Sequence, residues 1–144
     1  MHFVTGGAYN GKAKWVKTFY GITENHCWKS GFNEKKIPLD DRRLYGDVVV
    51  FEGVEHWIKE LTSDADLLEC REIWQSLLSI WHAWENEREE RTVVIIGTDL
   101  SKGIVPMEKE DRDWRDLTGW AYQDLTAVAD RVDVIWYGLN QQLK

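Results

Sequence analysis

Gly6, Gly11 and Lys12 stand at the spacing G-x-x-x-x-G-K, inside the stretch Phe3-Val4-Thr5-Gly6-Gly7-Ala8-Tyr9-Asn10-Gly11-Lys12-Ala13. The chemistry these residue types could do is the binding of phosphate. Glycines let consecutive backbone N–H groups point into one concavity, which a side chain would block. A helix starting at Lys12 adds its positive end, and the Lys12 ammonium reaches the outer phosphates. The expected contact residues are Gly6, Gly7, Ala8, Tyr9, Asn10, Gly11, Lys12 and Ala13. One position departs from the motif. Its last residue should be Ser or Thr, whose hydroxyl ligates magnesium, and here it is Ala13. Magnesium is still compatible with bound phosphates, but this protein ligand is missing. The alternative is a tight strand-to-helix turn that binds nothing.

A second candidate is Glu52, at the end of Gly46-Asp47-Val48-Val49-Val50-Phe51-Glu52-Gly53. A β-branched run bounded by glycines reads as a strand buried on both faces. Ligands of open parallel sheets gather at the carboxyl ends of the strands. A carboxylate there can order magnesium waters or the nucleotide. Helix capping or a salt bridge is the competing role. Lys12 and Glu52 are thus the candidate catalytic pair.

The elements that must position them follow from periodicity. Residues 2–5 read as a short buried strand and 11–20 as a helix. Residues 21–46, with Gly21, Gly31, Pro38 and the run Asp40-Asp41-Arg42-Arg43, read as a loop-rich connection with room for one short strand or helical turn. A short helix is expected over 54–61. A long one runs to about Arg88, with Ser63 as N-cap and Asp64 and Asp66 in its first turn. Its stripe is Leu67, Cys70, Trp74, Leu77, Trp81 and Trp84, widened by Ile73, Leu78 and Ile80. Glu85 to Arg91 reads as a solvated helix end. Thr92–Ile96 is the next strand, Glu110–Asp130 the next helix, and Val132–Tyr137 the last strand. Strands alternating with helices predict an α/β three-layer fold with a mostly parallel sheet, formed by residues 1–144 as one domain.

Composition sets limits. The net charge of −7 argues against nucleic acid as the main partner. No apolar run reaches the ~18 residues of a membrane span, and no signal peptide is recognisable. Cys27 and Cys70 fit no metal spacing and read as reduced packing residues of a cytoplasmic protein. Nine tryptophans in 144 residues are expected to supply core and interface mass. A homo-oligomer is therefore expected.

Several residues from Ile95 to Lys144 fall in one register with a known pattern. They are Gly103-Ile104-Val105-Pro106, Arg112, Arg115-Asp116, Gly119, Gln123, Ala129-Asp130, Val132, Gly138 and Lys144. Together with Val4-Thr5-Gly6-Gly7 and Glu52, they make the chain resemble the adenosylcobinamide kinase/adenosylcobinamide-phosphate guanylyltransferase family. The likeness covers roughly two thirds of the chain. It implies a P-loop NTPase-like fold, ATP or GTP as substrate, and transfer of the γ-phosphate to the aminopropanol hydroxyl of a corrinoid in cobalamin biosynthesis. In the family Thr98-Asp99 is Asn-Glu, and Glu52 is a nucleotide-contacting Glu. The family's guanylylated His, followed by Arg-Pro and Trp, is absent; His26-Cys27-Trp28-Lys29-Ser30 is its nearest trace, and His56 lies beyond the strand. The resemblance therefore implies the fold and nucleotide binding more strongly than either reaction, with Arg112 and Arg115 either steadying phosphate or tied to Asp111 or Asp116. The alternative is a degenerate member that serves as a nucleotide-binding or protein-interaction module.

Overall fold

The computed structural model describes residues 1–24, 26–38, 44–63 and 66–144. The run Asp40-Asp41-Arg42-Arg43 and Asp64 lie outside the described residues. In chain order the elements are β1 (His2–Thr5), α1 (Lys12–Tyr20), β2 (Cys27–Ser30), β3 (Val48–Glu52), α2 (Val54–Leu61) and α3 (Leu67–Asn86). Then come β4 (Thr92–Ile96), α4 (Lys109–Val128), β5 (Arg131–Trp136) and β6 (Leu139–Gln142).

One six-stranded sheet has the order β2-β3-β4-β1-β5-β6. Every pairing is parallel except β5 with β6. The period of two along the strands sorts their side chains into two cores. Phe3, Val49, Phe51, Val93, Ile95 and Val132 face α2, α3 and α4. Val4, Val50, Val94, Ile96 and Ile135 face α1 through Val16. The result is the expected three-layer α/β fold of P-loop NTPase type, with α1 on one face and α2, α3 and α4 on the other.

The stripe of α3 is buried at Cys70, Trp74, Leu77, Trp81 and Trp84, while Ile73 and Ile80 stay partly exposed. Its tryptophans serve the core: Trp81 stacks on Phe51 at 4.2 Å, and Trp74 Nε1 donates to the Ala121 carbonyl. Cys27 and Cys70 are buried, and Cys70 Sγ donates to the Leu61 carbonyl.

Three expectations are corrected. The cap of α3 is Asp66, not Ser63: its carboxylate accepts the N–H groups of Leu68 and Glu69 at 2.9 and 3.0 Å. Either residue suits a cap, and only the helix start decides between them. Glu85 is not solvated. It is buried and accepts Val93 N–H at 2.8 Å, because the last turn of α3 packs over the start of β4. The sheet also does not end at Tyr137. A two-residue turn, Tyr137-Gly138, reverses the chain into β6, whose four residues are all exposed. A polar edge strand with no buried face has no hydrophobic alternation to reveal it.

Candidate functional site

The loop after β1 is shaped by backbone, not side chains. Gly6 has φ 142° and its α-carbon abuts the Ile135 carbonyl, so a Cβ has no room there. Gly11 has φ 88° and caps α1, whose first residue is Lys12. The N–H of Asp99 reaches the Gly6 carbonyl at 3.1 Å, and that of Gly138 the Asn10 carbonyl at 2.9 Å. Loops following β4 and β5 therefore brace the glycine turn from both sides.

Lys12 folds back over this turn. Its Nζ donates to the carbonyls of Gly6 and Gly7 at 3.1 and 2.9 Å. Burial lowers its pKa from the ordinary lysine value, and the nearby carboxylates of Glu55 and Glu52 work in the opposite direction. Lys12 is thus a partly buried cation near two acids.

A cleft of about 570 Å³ opens above the carboxyl ends of β1, β3 and β4. Residues 8–14 form one wall. Glu52, Gly53, Glu55 and His56 form another, and Phe32, Thr98, Leu100 and Trp114 complete it. Glu52 is held by Trp28 Nε1 at 2.9 Å, a bond from β2 to β3 across the sheet. It neither caps a helix nor carries an ion pair among the described residues. Of the expected residues, Ala8 to Ala13 and Glu52 line the cleft, while Gly6 and Gly7 meet it through the amine of Lys12.

The sequence reading missed Glu55. It is 2% exposed, and its carboxylate accepts Thr98 N–H at 3.1 Å and Tyr122 O–H at 3.4 Å. Burial and this carboxylate push the Tyr122 hydroxyl well above the ordinary tyrosine range. A signal was present: three residues beyond a strand-terminal Glu, at the start of a helix, place a second carboxylate at the same sheet end. His56 was set aside for lying past the strand, yet it lines the cleft, 4.6 Å from the Phe32 ring. Aromatic walls from Phe32 and Trp114 had no signature, since they come from distant segments.

His26 goes the other way. It precedes β2, and β2 pairs in register Cys27 with Val49 and Ser30 with Glu52. His26 therefore sits at the amino end of the sheet, roughly a strand's length (~13 Å at ~3.3 Å per residue) from the level of Glu52. Its Nδ1 accepts the Thr23 N–H at 3.0 Å. Arg112 is no phosphate clamp in this arrangement: it donates to the carbonyls of Pro106 and Met107, stapling the loop ahead of α4. Arg115 pairs with Asp116 at 3.2 Å, and Asp111 with Lys59 at 3.3 Å.

The Ala13 side chain has no oxygen to offer magnesium, and among the described residues no group of three or more His, Cys, Asp or Glu side chains could hold a metal ion. Glu52 and Glu55 are each engaged by hydrogen-bond donors. The described residues do not supply a magnesium cage.

Against this geometry stands one comparison. The model of the family cobinamide kinase/cobinamide phosphate guanyltransferase matches residues 25–143. The chain belongs to this family. Membership makes it a relative of nucleotide-using transferases of cobalamin biosynthesis. No curated protein matches the chain. The family match begins downstream of the glycine loop, so the loop rests on its own geometry. It includes β3 with Glu52, the Thr98-Asp99 segment, Gly103–Pro106 and the whole of α4. Among the described residues no helix is long and apolar enough to cross a membrane.

Proposed function

We propose that the chain binds a nucleoside triphosphate, ATP or GTP, on the loop Gly6–Ala13 and transfers its terminal phosphate to the hydroxyl of a cobinamide-type corrinoid. The observation that carries this reading is the juxtaposition at one sheet end. A glycine turn without room for side chains at Gly6, a helix N-terminus and a partly buried Lys12 lie near Glu52 and Glu55 in one cleft.

In this reading the backbone N–H groups of the loop and α1 take the phosphate oxygens. Lys12 leaves the carbonyls of Gly6 and Gly7 to meet the outer phosphates as a charge-assisted donor. Glu52, oriented by Trp28, accepts the proton of the attacking hydroxyl. Glu55 holds the Thr98 loop beside it. Phosphoryl transfer asks the protein chiefly for positioning and charge stabilisation, so residues already locked by hydrogen bonds suit the task. A cytoplasmic homo-oligomer is part of the same proposal.

The test is a single-turnover assay with γ-labelled ATP or GTP and adenosylcobinamide. Label transferred to the corrinoid is expected from the wild type and not from Glu52→Gln. Nucleotide binding without transfer would favour the second reading, a member that binds nucleotide or a protein partner without chemistry. Ala13 and the missing His-Arg-Pro-Trp segment speak for that second reading.

Guanylyl transfer is not part of the proposal. A histidine nucleophile needs a positioned neutral nitrogen beside a cationic clamp, and His26 lies at the other end of the sheet. Intact-mass spectrometry after incubation with GTP is expected to show no GMP adduct. An adduct that vanishes in His26→Ala would restore the second activity.

A further inference from the structure

Among the described residues, two that are not glycine have a left-handed backbone, and both are tyrosines: Tyr9 with φ 58° and Tyr137 with φ 52°. A side chain at positive φ crowds the backbone, so such positions normally fall to Gly or Asn. Tyr9 is the third residue of the turn Gly7–Asn10, closed by Asn10 N–H to the Gly7 carbonyl at 3.4 Å. That is the turn position where left-handed backbone favours Gly or Asn. Tyr137 opens the two-residue hairpin Tyr137-Gly138 with both φ positive, where Asn-Gly is the preferred pair. Both turns thus hold a tyrosine where a smaller residue would fit with less strain.

Neither ring repays that strain by burial. Tyr9 is fully exposed, Tyr137 is 82% exposed, and the neighbouring Trp136 is 63% exposed. The two turns are nevertheless joined. Gly138 N–H donates to the Asn10 carbonyl at 2.9 Å, and Tyr137 N–H to Asn10 Oδ1 at 3.4 Å. Gly11 packs so closely on Gly138 that a Cβ would touch its α-carbon at 3.5 Å. Exposed aromatics on strained, mutually braced turns are a feature of ligand sites.

Sheet order shows which part of the ligand lies there. Lys12 lies near Glu52 and Glu55, on the side of β4 and β3. The turn carrying Tyr137 lies on the opposite side of β1, after β5. Lysine and carboxylates mark the reacting end of a phosphate chain. Its other end, with the nucleoside, then points toward Tyr9 and the hairpin.

We propose that Tyr9, Trp136 and Tyr137 seat the nucleobase by stacking. The proposal rests on the nucleotide reading of the loop. Every base offers a π-face, so stacking tolerates either purine.

Titration calorimetry with ATP, GTP and inorganic triphosphate separates the two claims. The wild type is expected to bind both nucleotides about tenfold more tightly than triphosphate, the scale of one stacked base. Tyr137→Asn suits its turn, so melting temperature should hold. It should weaken ATP and GTP severalfold and leave triphosphate unchanged. Equal wild-type affinity for triphosphate and nucleotides overturns the base seat while keeping the phosphate loop. So does a variant that loses nothing, or that loses all three ligands equally. No binding of any ligand, triphosphate included, fells the loop reading and the base seat with it.

Discussion

The two ends of the sheet use polar residues in opposite ways. At the amino end they saturate one another. Asp133, wholly buried, takes hydrogen bonds from Arg131 at 2.5 Å, from His2 Nε2 at 2.8 Å and from Asn140 at 2.8 Å. His2 is filled on its other side, where Tyr20 O–H meets Nδ1 at 2.7 Å. An ionised Asp133 can only accept, so Nε2 carries the ring proton and Nδ1 accepts from Tyr20. At the carboxyl end, by contrast, Lys12 has only loop carbonyls as hydrogen-bond partners among the described residues, carboxylates line an open cleft, and tyrosines stand in solvent on strained turns. Paired polar groups stabilise; groups held in readiness meet a ligand. The same parallel topology produces both, because it gathers all βα loops at one end and leaves the other to short closures.

The largest expected effect breaks the amino end. Asp133→Ala leaves the buried His2 without its acceptor and Arg131 without its partner, and should cost about 3 kcal/mol of folding stability. Urea unfolding measures it, with triphosphate affinity of the folded protein unchanged. An equal loss of affinity would show that the two ends are coupled.

Next comes Lys12→Ala, which should weaken triphosphate binding by about 1.5–3 kcal/mol, the range for hydrogen bonds to charged groups. Thermal stability should hold or rise, since a partly buried ammonium is removed. A drop in melting temperature with no change in binding would reverse the assignment of the two ends.

A smaller effect sharpens the comparison through pH. Burial lowers the pKa of His2, outweighing the pull of Asp133 toward the charged form. A depressed histidine contributes stability above its unfolded value near 6.5, which is lost as pH falls through the folded value. Burial opposes the charge of Asp133, but bonds from Arg131, Asn140 and His2 hold its carboxyl below the ordinary range. That contribution is present above pH ~3.9 and lost below it. Stability should therefore decline in two stages on acidification, and His2→Gln should flatten the first. An unaltered profile would exclude His2 as its source.

The smallest effect concerns Ala13→Ser. The added hydroxyl should raise the magnesium dependence of nucleotide binding by a few-fold and speed any turnover, because it restores one metal ligand. Calorimetry with and without magnesium reads it; no difference would mean that the loop cannot place the ion.

Much of this was legible along the chain. Short β-branched runs, glycine boundaries and the 3.6-residue stripe of α3 are local patterns, and they placed four of the six strands, β1, β3, β4 and β5, with β2 and β6 the difficult edges. β2 lay in a segment of weak periodicity, and β6 is polar on both faces. Lys12 and Glu52 were readable because each sits at the end of an element that the sequence marks by itself. Glu85 was misread because charge patterns report composition, not which turn of a helix meets a neighbouring strand.

By itself the sequence determined the α/β class, the parallel strands, the glycine turn and the family, since all depend on residue order over short windows. Tertiary structure alone decided which residues share the cleft. It brought Glu55, His56, Phe32 and Trp114 together, moved His26 to the far end, and set Tyr137 beside the glycine loop. Those outcomes depend on strand order, β2-β3-β4-β1-β5-β6. Strand order is a global packing result: it follows from burying both faces of the sheet at once, and no local window contains it.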